Sequence, residues 1–501
     1  MNIVAGHLYD AGLVLAAEDC EPQVFDEIHK FPSKNDQRVI RTLLAHGPVL
    51  LRGGRGSGKS AFMIAASKQL AANNENAPAV GIYMSLRHAP LLKSSGETYG
   101  RILCEIIIRS VRDALGDRAD DFSPEPDAGS LQYELSKLAS RIGRRLVLFF
   151  DDAAHLGREA SLEDFFDIYR TLSGSAVSCK AAIYPGVTKF GIRFDVYNDS
   201  TIVDLLRSEE LPDFNETFLE VMDARYPDYF DNKFSSGLER GAVAGFLAQS
   251  VLGNMRGFVF ACNKLKERSA AGEKIGLPEL SETLIDLAAN YYWPLLQEIK
   301  PKLGMYEPMV GVATDVAQLI FEEAGGKSNN PRDVIVHRDV DERLAKPLQI
   351  LEYAGFMTKR EASRAMKSGG RGARYALNLC SLLEQSSGSR LTRDLFDRWF
   401  QKAREEAVQF GRSSTLSALR VPETPATEDL AIMLQPLDVL VKSKLYPYGL
   451  STGRIDALKA AGFSTVGDLA SATDEQLDSV HYVGDVVISR IRNVLGQAIW
   501  M

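Results

Sequence analysis

Residues 49–72 constrain the fold more than any other stretch. "PVLLRGG" is an apolar strand that runs into glycines. Gly53-Gly-Arg-Gly-Ser-Gly58-Lys59-Ser60 then fits the spacing GxxxxGK[ST], and from Lys59 to Ala72 the pattern is helical. Strand, glycine loop and helix in that order build a phosphate cradle. Glycines let the backbone curl so that its N–H groups surround phosphates, and the helix N-terminus adds positive potential. Lys59 is expected to reach the β and γ phosphates of ATP, and Ser60 to hold Mg²⁺. The contact run is Gly53, Gly54, Arg55, Gly56, Ser57, Gly58, Lys59, Ser60 and Ala61.

The second half of such a site is "LVLFFDDAAHL", a buried apolar strand that ends in Asp151 and Asp152. One carboxylate at that position orders Mg²⁺ and the next activates the attacking water. Asp151 is assigned to the metal and Asp152 to the base. Asp is a methylene shorter than Glu, so slow turnover is expected. "AVGIYMSL" and "KAAIYPG" read as further strands. "TYGRILCEIIIRSVRDAL" carries Leu103, Ile106, Ile107, Val111 and Leu115 on one helical stripe. Strands alternating with helices over 45–200 indicate a parallel α/β sheet.

The chain of 501 residues has a net charge of −8, so any nucleic-acid contact must be local. Its five cysteines form no CxxC, which argues against a structural zinc site or a disulfide framework. No stretch reaches the roughly 18 apolar residues of a membrane span. There is no Lys or Arg before Lys30 and no signal peptide is read, so a cytoplasmic location is expected.

"LGNMRGFVFACNKL", residues 252–265, resembles the sensor-2 motif in the helical lid of AAA+ ATPases of the origin-recognition (ORC/Cdc6) group. The resemblance covers roughly residues 25–385. It implies that Arg256 reaches the γ-phosphate from the lid, as a catalytic residue beside Lys59 and Asp152. It implies a polar sensor-1 residue in "KAAIYPGVTKF", either Tyr184 or Thr188. It also implies an arginine finger acting on a neighbouring copy, with Arg193 and Arg207 as candidates.

Members of that group carry a winged helix after the lid. "VDERLAKPLQILEYAGF" puts Leu344, Leu348 and Leu351 on one helical face, ends at Gly355, and contains Pro347, a departure from an ideal recognition helix. "FMTKREASRAMKSGGRGARYALNL" reads as strand, loop, strand. Lys359, Arg360, Arg364, Lys367, Arg371 and Arg374 face a single acid there, Glu361, for a local charge of +5. Gly369, Gly370 and Gly372 make the loop pliable, so these six are the expected phosphate contacts on DNA.

The last module, "LSTGRIDALKAAGFSTVGDLASATDEQL" followed by "LDSVHYVGDVVISRIRNVL", resembles the C-terminal domain of the RNA polymerase α subunit, built on helix–hairpin–helix elements. The resemblance implies phosphate contacts by Ser451, Thr452, Gly453 and Arg454, and by Val483 and Gly484. Yet residues 441–501 hold six basic and six acidic side chains. DNA binding and protein docking both remain open for this module.

The expected architecture is therefore an α/β P-loop AAA+ core with a helical lid, then a winged helix and an all-α helix–hairpin–helix domain. The boundaries are an N-terminal segment 1–45, an α/β domain 46–200, a lid 201–300 made of helices only, a winged helix 301–385, a helix and linker 386–435, and a terminal module 436–501. The linker proper is the Ser/Thr/Pro-rich stretch 412–428. The expected function is an ATP-dependent, DNA-binding ATPase that acts as a switch or loader and is able to form homo-oligomers. The rival is a STAND-type signalling ATPase in a defence system, its last module docking a protein partner. A third reading is a partner-loading scaffold.

Overall fold

The computed structural model describes residues 16–87, 91, 94–154, 159–186, 190, 193–269, 274–400, 406–422, 431–442, 449–481 and 483–500. Strands β1 (Val49–Arg52), β2 (Ala79–Ser85), β3 (Arg145–Ala154), β4 (Val177–Ile183) and β5 (Thr201–Asp204) form a parallel sheet in the order β2-β3-β4-β1-β5. Alternation sorts β3 between two cores. Val147 and Phe149 pack with α2 (Lys34–Leu44) and α3 (Lys59–Gln69), where Val39, Leu43, Phe62 and Met63 are buried. Leu148 and Phe150 pack on the other face with α4 (Gly96–Leu115), α5 (Ala128–Ile142) and α6 (Glu159–Leu172). Leu103, Ile107 and Val111 of α4 are fully buried, each worth about 1.5–3 kcal/mol of apolar burial. β4 is covered at every position, as a parallel strand with helices on both faces must be.

Two expected boundaries change. Residues 1–45 do not end in a separate segment. The short α1 (Pro22–Ile28) leads into α2, which the Ser33 hydroxyl caps by accepting from Asp36 N, and the apolar stripe of α2 belongs to the sheet's core. At the other end, 201–300 is not helices only: β5 extends the ladder beside β1, because "TIVD" still has an open edge to pair with.

Helices α7 (Phe214–Arg225), α8 (Arg240–Ser250), α9 (Met255–Arg268), α10 (Leu277–Leu287) and α11 (Trp293–Ile299) follow. No core boundary falls at residue 300. One continuous apolar cluster runs from Phe218 through Val316 to Trp399, and Gln249 donates to Trp399 O at 2.6 Å. That shared core includes α12 (Met309–Gly325), β6 (Asp333–His337), α13 (Arg338–Arg343), α14 (Ala345–Ala354), β7 (Met357–Ala365), β8 (Arg371–Leu377), α15 (Leu379–Gln385), α16 (Arg393–Phe400) and β9 (Val408–Phe410). β7 and β8 form an antiparallel hairpin beside β6, and β9 joins the far edge in parallel. Pro347 sits in the first turn of α14, where a missing N–H costs nothing. Leu344, Leu348 and Leu351 are all buried.

The stretch 412–428 is not a free tether throughout. Leu416 is fully buried, and Arg343 donates to Leu416 O (2.8 Å) and Ser417 O (2.6 Å). Residues 423–430 lie outside the described set. Beyond them α17 (Thr452–Ala460), α18 (Val466–Ser471), α19 (Asp474–Asp478) and α20 (Asp485–Trp500) close around their own core of Leu437, Leu450, Ile455, Leu458, Leu469 and Leu495. Capping boxes at Thr465/Asp468 and Thr473/Gln476 start α18 and α19. Among the described residues no helix is long and apolar enough to cross a membrane.

Candidate functional site

β1 delivers the glycine loop at its carboxyl end, and Gly58 (φ 96°) starts α3 in the left-handed region that favours glycine. Lys59 is 5 % exposed. Its ammonium donates to Gly53 O (2.8 Å) and Gly54 O (3.1 Å) and lies 3.7 Å from the centroid of the Tyr184 ring. Burial pushes Lys59 down to about 8, against the opposing pull of Asp152 and Asp151. Ser57 N donates to Gly54 O at 3.2 Å, and the Ser57 carbonyl accepts from Arg207 at 2.8 Å.

The paired aspartates sit where β3 breaks register with β4, between Phe150 and Ala154. Asp151 is fully buried and Asp152 is 2 % exposed with φ 52°. A carboxylate residue held in the left-handed region at a bulge marks a place where backbone strain is spent on aiming a side chain. Tyr83 donates to Asp151 at 2.7 Å, and the Ser60 hydroxyl is bonded to the same carboxylate. Burial, then the charge of Asp152, raises the Asp151 carboxyl. Tyr184 donates to Asp152 Oδ1 at 3.1 Å, and Arg87 is ion-paired with Oδ2. Arg87 also reaches Glu18 at 2.8 Å. Burial raises Glu18 to about 8, against the pull of Arg87. Glu18, Asp151 and Asp152 each bring a carboxylate oxygen within 4.8 Å of the others. With Ser60 beside Asp151, this oxygen set suits a hard divalent cation such as Mg²⁺.

Helix α9 closes the opposite wall. Asn254 caps α9 by accepting from Gly257 N at 3.0 Å, and it donates to Arg55 O at 2.6 Å. Arg256 N donates to Gly56 O at 3.2 Å. A Cβ on Gly56 would meet Arg256 Cβ and Asn254 Oδ1 at 2.7 Å, so only glycine lets α9 approach this closely. Arg256 lines the same pocket as Lys59, Ser60 and Asp152. The pocket's atom-free space of about 760 Å³ is partly open solvent. Ala61 also lines it. Arg55 does so while pairing with Glu298 at 3.5 Å, its N–H donating to Tyr353 O at 3.3 Å.

Sequence reasoning missed Glu18, Tyr83 and Arg87. Arg87 follows β2, and only the strand order puts β2 beside β3; nothing local to "SLRH" signals it. Of the two sensor-1 candidates, Tyr184 stands in the site and Thr188 lies outside the described residues. Of the finger candidates, Arg207 is engaged within its own chain: it is 8 % exposed, bonded to Ser57 O and 3.3 Å from Asp36. Arg193 is exposed.

The basic hairpin departs from expectation. Its six cations are not a bare +5 patch, because acids from distant segments meet them. Lys359 pairs with Asp341 (3.1 Å), Arg360 with Glu209 (2.5 Å), Arg364 with Glu361 (2.8 Å) and Lys367 with Glu406. Arg374 is shared among Glu361 (2.6 Å), Asp333 (3.0 Å) and Glu210 (3.1 Å). Arg360 and Arg374 are only 5 % and 14 % exposed and face inward. Arg364 and Lys367 stand out at 47 % and 70 % exposed, and Arg371 is exposed and bonded to Ser363. Gly369 and Gly370 make the turn with positive φ. Gly372 belongs to β8, where a Cβ would strike Val336 O.

In the terminal module Lys459 pairs with Asp438 and Arg492 with Asp474, both at 2.7 Å. Thr452 and Gly453 open α17 and Gly484 precedes α20; a Cβ on either glycine would meet open space. Among the described residues of the module, the glycine with a left-handed φ is Gly462.

No family model matches the sequence, and no curated protein matches it. Solved structures overlap it loosely. The ORC2 protein of Aeropyrum pernix, in ADPNP–ADP complexes, is 12 % identical over 76 % of this chain and 98 % of its own, with a TM-score of 0.41. Cdc6p from Pyrobaculum aerophilum is 10 % identical over 76 % and 98 %, with a TM-score of 0.35. Domain III of the Thermotoga maritima replication initiation protein DnaA is 14 % identical over 53 % and 97 %, with a TM-score of 0.31. Overlaps this loose carry no functional argument; function has to rest on the pocket's own geometry.

Proposed function

We propose that the chain is a Mg²⁺-dependent ATPase of the AAA+ kind, ORC/Cdc6-like in plan, that works as a nucleotide-controlled switch or loader on DNA. One observation carries the reading: Lys59 and Ser60, the Asp152 carboxylate and Arg256 of the helical lid all face a single pocket. Bound MgATP would supply the phosphoanhydride to be cleaved and a Lewis acid on its phosphates. The loop N–H groups and Lys59 would bind those phosphates, and Ser60 and Asp151 would hold the metal. Asp152 would accept the water proton at Oδ2 after Arg87 releases that oxygen, which favours slow turnover. Arg256 would tie the lid to the phosphates.

The order α12, β6, α13, α14, β7, β8 supports a winged helix, with residues 366–370 as the tip of the wing. Its DNA contacts would be the exposed Arg364, Lys367 and Arg371, since Arg360 and Arg374 are occupied by acids. The C-terminal end of α14 packs on the glycine loop: Arg55 N donates to Tyr353 O, and a Cβ on Gly54 would stand 3.3 Å from Glu352 O. That docking is the specific observation that favours the second reading, a STAND-type signalling ATPase held closed until nucleotide exchange, with the terminal helix–hairpin–helix module docking a protein partner. ATP turnover with and without duplex DNA separates the two. DNA stimulation is expected; stimulation by a protein ligand alone would replace the first reading with the second.

A further inference from the structure

Arg55 holds the third place of the glycine loop, and its backbone is fixed from two sides. Asn254 of α9 donates to Arg55 O at 2.6 Å, and Arg55 N donates to Tyr353 O of α14 at 3.3 Å. The side chain lines the nucleotide pocket and is only 12 % exposed. Its Nε and Nη1 are shut off from solvent without a hydrogen-bond partner. Among the described residues one carboxylate pairs with it, Glu298, through Nη2 at 3.5 Å. Glu298 has a nearer cation of its own, since Lys302 donates to it at 2.9 Å. Buried polar groups are hydrogen-bonded as a rule, so a buried guanidinium with unused donors calls for an acceptor. Arg256, whose N–H donates to Gly56 O, lines the same pocket. Two guanidiniums on one wall, one with donors to spare, fit a polyanion better than they fit each other.

We infer that the Arg55 side chain binds the γ-phosphate of a nucleoside triphosphate, so that the chain supplies its own activating arginine from within the glycine loop. The inference rests on the ATP-site reading and deepens it, because it gives the loop a catalytic side chain besides Lys59. Lys59 and the loop N–H groups meet the phosphates from the start of α3, and Arg55 stands on the side that α9 and Arg256 close. The terminal phosphoryl group carries more charge than the other two and is the acceptor that this side of the loop lacks. In the transfer step the water oxygen bonds to the γ-phosphorus and the water proton passes to Asp152. The bond to the β,γ-bridging oxygen breaks, and its electron pair goes to the departing diphosphate. A guanidinium on the γ-phosphoryl oxygens steadies the charge that shifts during this step, whichever chain provides it.

The test uses the full chain and three variants, Arg55→Gln, Arg55→Lys and Glu298→Gln. Single-turnover hydrolysis is followed at saturating MgATP, and affinities for MgATP and MgADP are measured by titration calorimetry. Arg55→Gln should slow hydrolysis by about 10³ and weaken MgATP by about tenfold, with a smaller loss for MgADP. Arg55→Lys, which keeps the charge, should retain more of the rate than Arg55→Gln, and Glu298→Gln should keep the wild-type rate. Wild-type hydrolysis by Arg55→Gln, or equal losses of MgATP and MgADP affinity, overturns the γ-phosphate contact. A loss in Glu298→Gln as large as in Arg55→Gln makes Arg55 a tether to α11 and overturns it too. Recovery of Arg55→Gln on adding excess Lys59→Ala chain places the arginine in a neighbouring copy and overturns its action within one chain. A wild-type chain that binds no nucleotide overturns the ATP site itself, a failure distinct from these.

Discussion

The nucleotide pocket and the basic hairpin both gather lysines and arginines and pair some of them with acids, but the pocket's cations also line a cavity, whereas the hairpin's inner cations are tied to acids within the fold. Lys59 donates to loop carbonyls, and burial holds it down at about 8. Arg374 is partly buried, yet Asp333, Glu361 and Glu210 outweigh the burial and push it further up. A run of basic residues therefore measures ligand binding only where the fold turns the charges toward a cavity or solvent. In the hairpin, six cations reduce to an exposed tip of three.

The pocket's side of this contrast predicts the largest effect. Lys59→Ala should abolish nucleotide binding. Asp152→Asn should keep binding and lower single-turnover hydrolysis by about 10²–10⁴, the range of a lost general base. Arg256→Ala should reduce hydrolysis more than binding. If Lys59→Ala binds ATP as the wild type does, the cavity is not the ATP site and the contrast collapses.

The hairpin's buried half predicts the next largest effect. Arg360 and Glu209 are 5 % and 10 % exposed. Removing one partner of a buried pair leaves the other charge uncompensated, at about 3–5 kcal/mol. Arg360→Ala should shift urea unfolding by that order, whereas Arg371→Ala should stay within about 0.5 kcal/mol. Equal losses at both positions would remove the division into an inward structural half and an outward tip.

The exposed tip predicts a smaller effect, and one read on DNA. Each phosphate contact contributes a slope of roughly −0.9 in log K against log salt. Exposed ion pairs such as Arg364–Glu361 hold little energy and exchange readily for phosphate. Replacing Arg364, Lys367 and Arg371 together with Ala should flatten the slope by about two to three units in fluorescence anisotropy across a salt series. Deleting residues 436–501 should leave most of the slope. The opposite pattern would move the DNA anchor to the terminal module.

The contrast also explains what was legible in the sequence. The glycine loop, the Asp151–Asp152 strand end, α9 beginning beside Arg256 and the β7–β8 hairpin could be read because their signals are local: spacing, strand polarity, a cap, a turn. Arg87 could not, since it meets Asp152 only through the strand order, and neither could Glu18, which reaches Arg87 from a turn far upstream. Glu209, Glu210 and Glu406 could not be matched to the hairpin for the same reason; each lies 39 or more residues from its cation. Helices α2 and α14 hid a different fact, the surface each packs on. Amphipathic spacing gives a buried face but not its neighbour, so residues 1–45 read as a separate segment and the docking of Tyr353 on Arg55 went unseen.

The smallest effect concerns acid, which should loosen the two regions in different windows. His29 lines the pocket, its ring stacked 4.3 Å from Phe25. Burial, and then the charge of Arg225, lowers it to about 4 from 6.5. The folded chain thus carries fewer protons than the unfolded one between those values. Stability from this group is fully present above about pH 6.5 and is lost as pH falls toward 4. The full shift would correspond to about 3 kcal/mol, and partial exposure reduces it to roughly 1 kcal/mol. Glu361 in the hairpin behaves differently. Burial works against its charge, but Arg374 and Arg364 outweigh it and hold the carboxyl below its usual 4.5. Its contribution survives to pH 4.5 and is lost only below that. Urea midpoints at pH 7, 5.5 and 4.5 for the wild type and His29→Phe, which keeps the ring and removes the titration, test the ordering. The variant should show the flatter dependence between pH 6.5 and 4. Identical slopes in that window would mean that His29 is not held neutral by the pocket, and that the pocket is no more sensitive to acid than the hairpin.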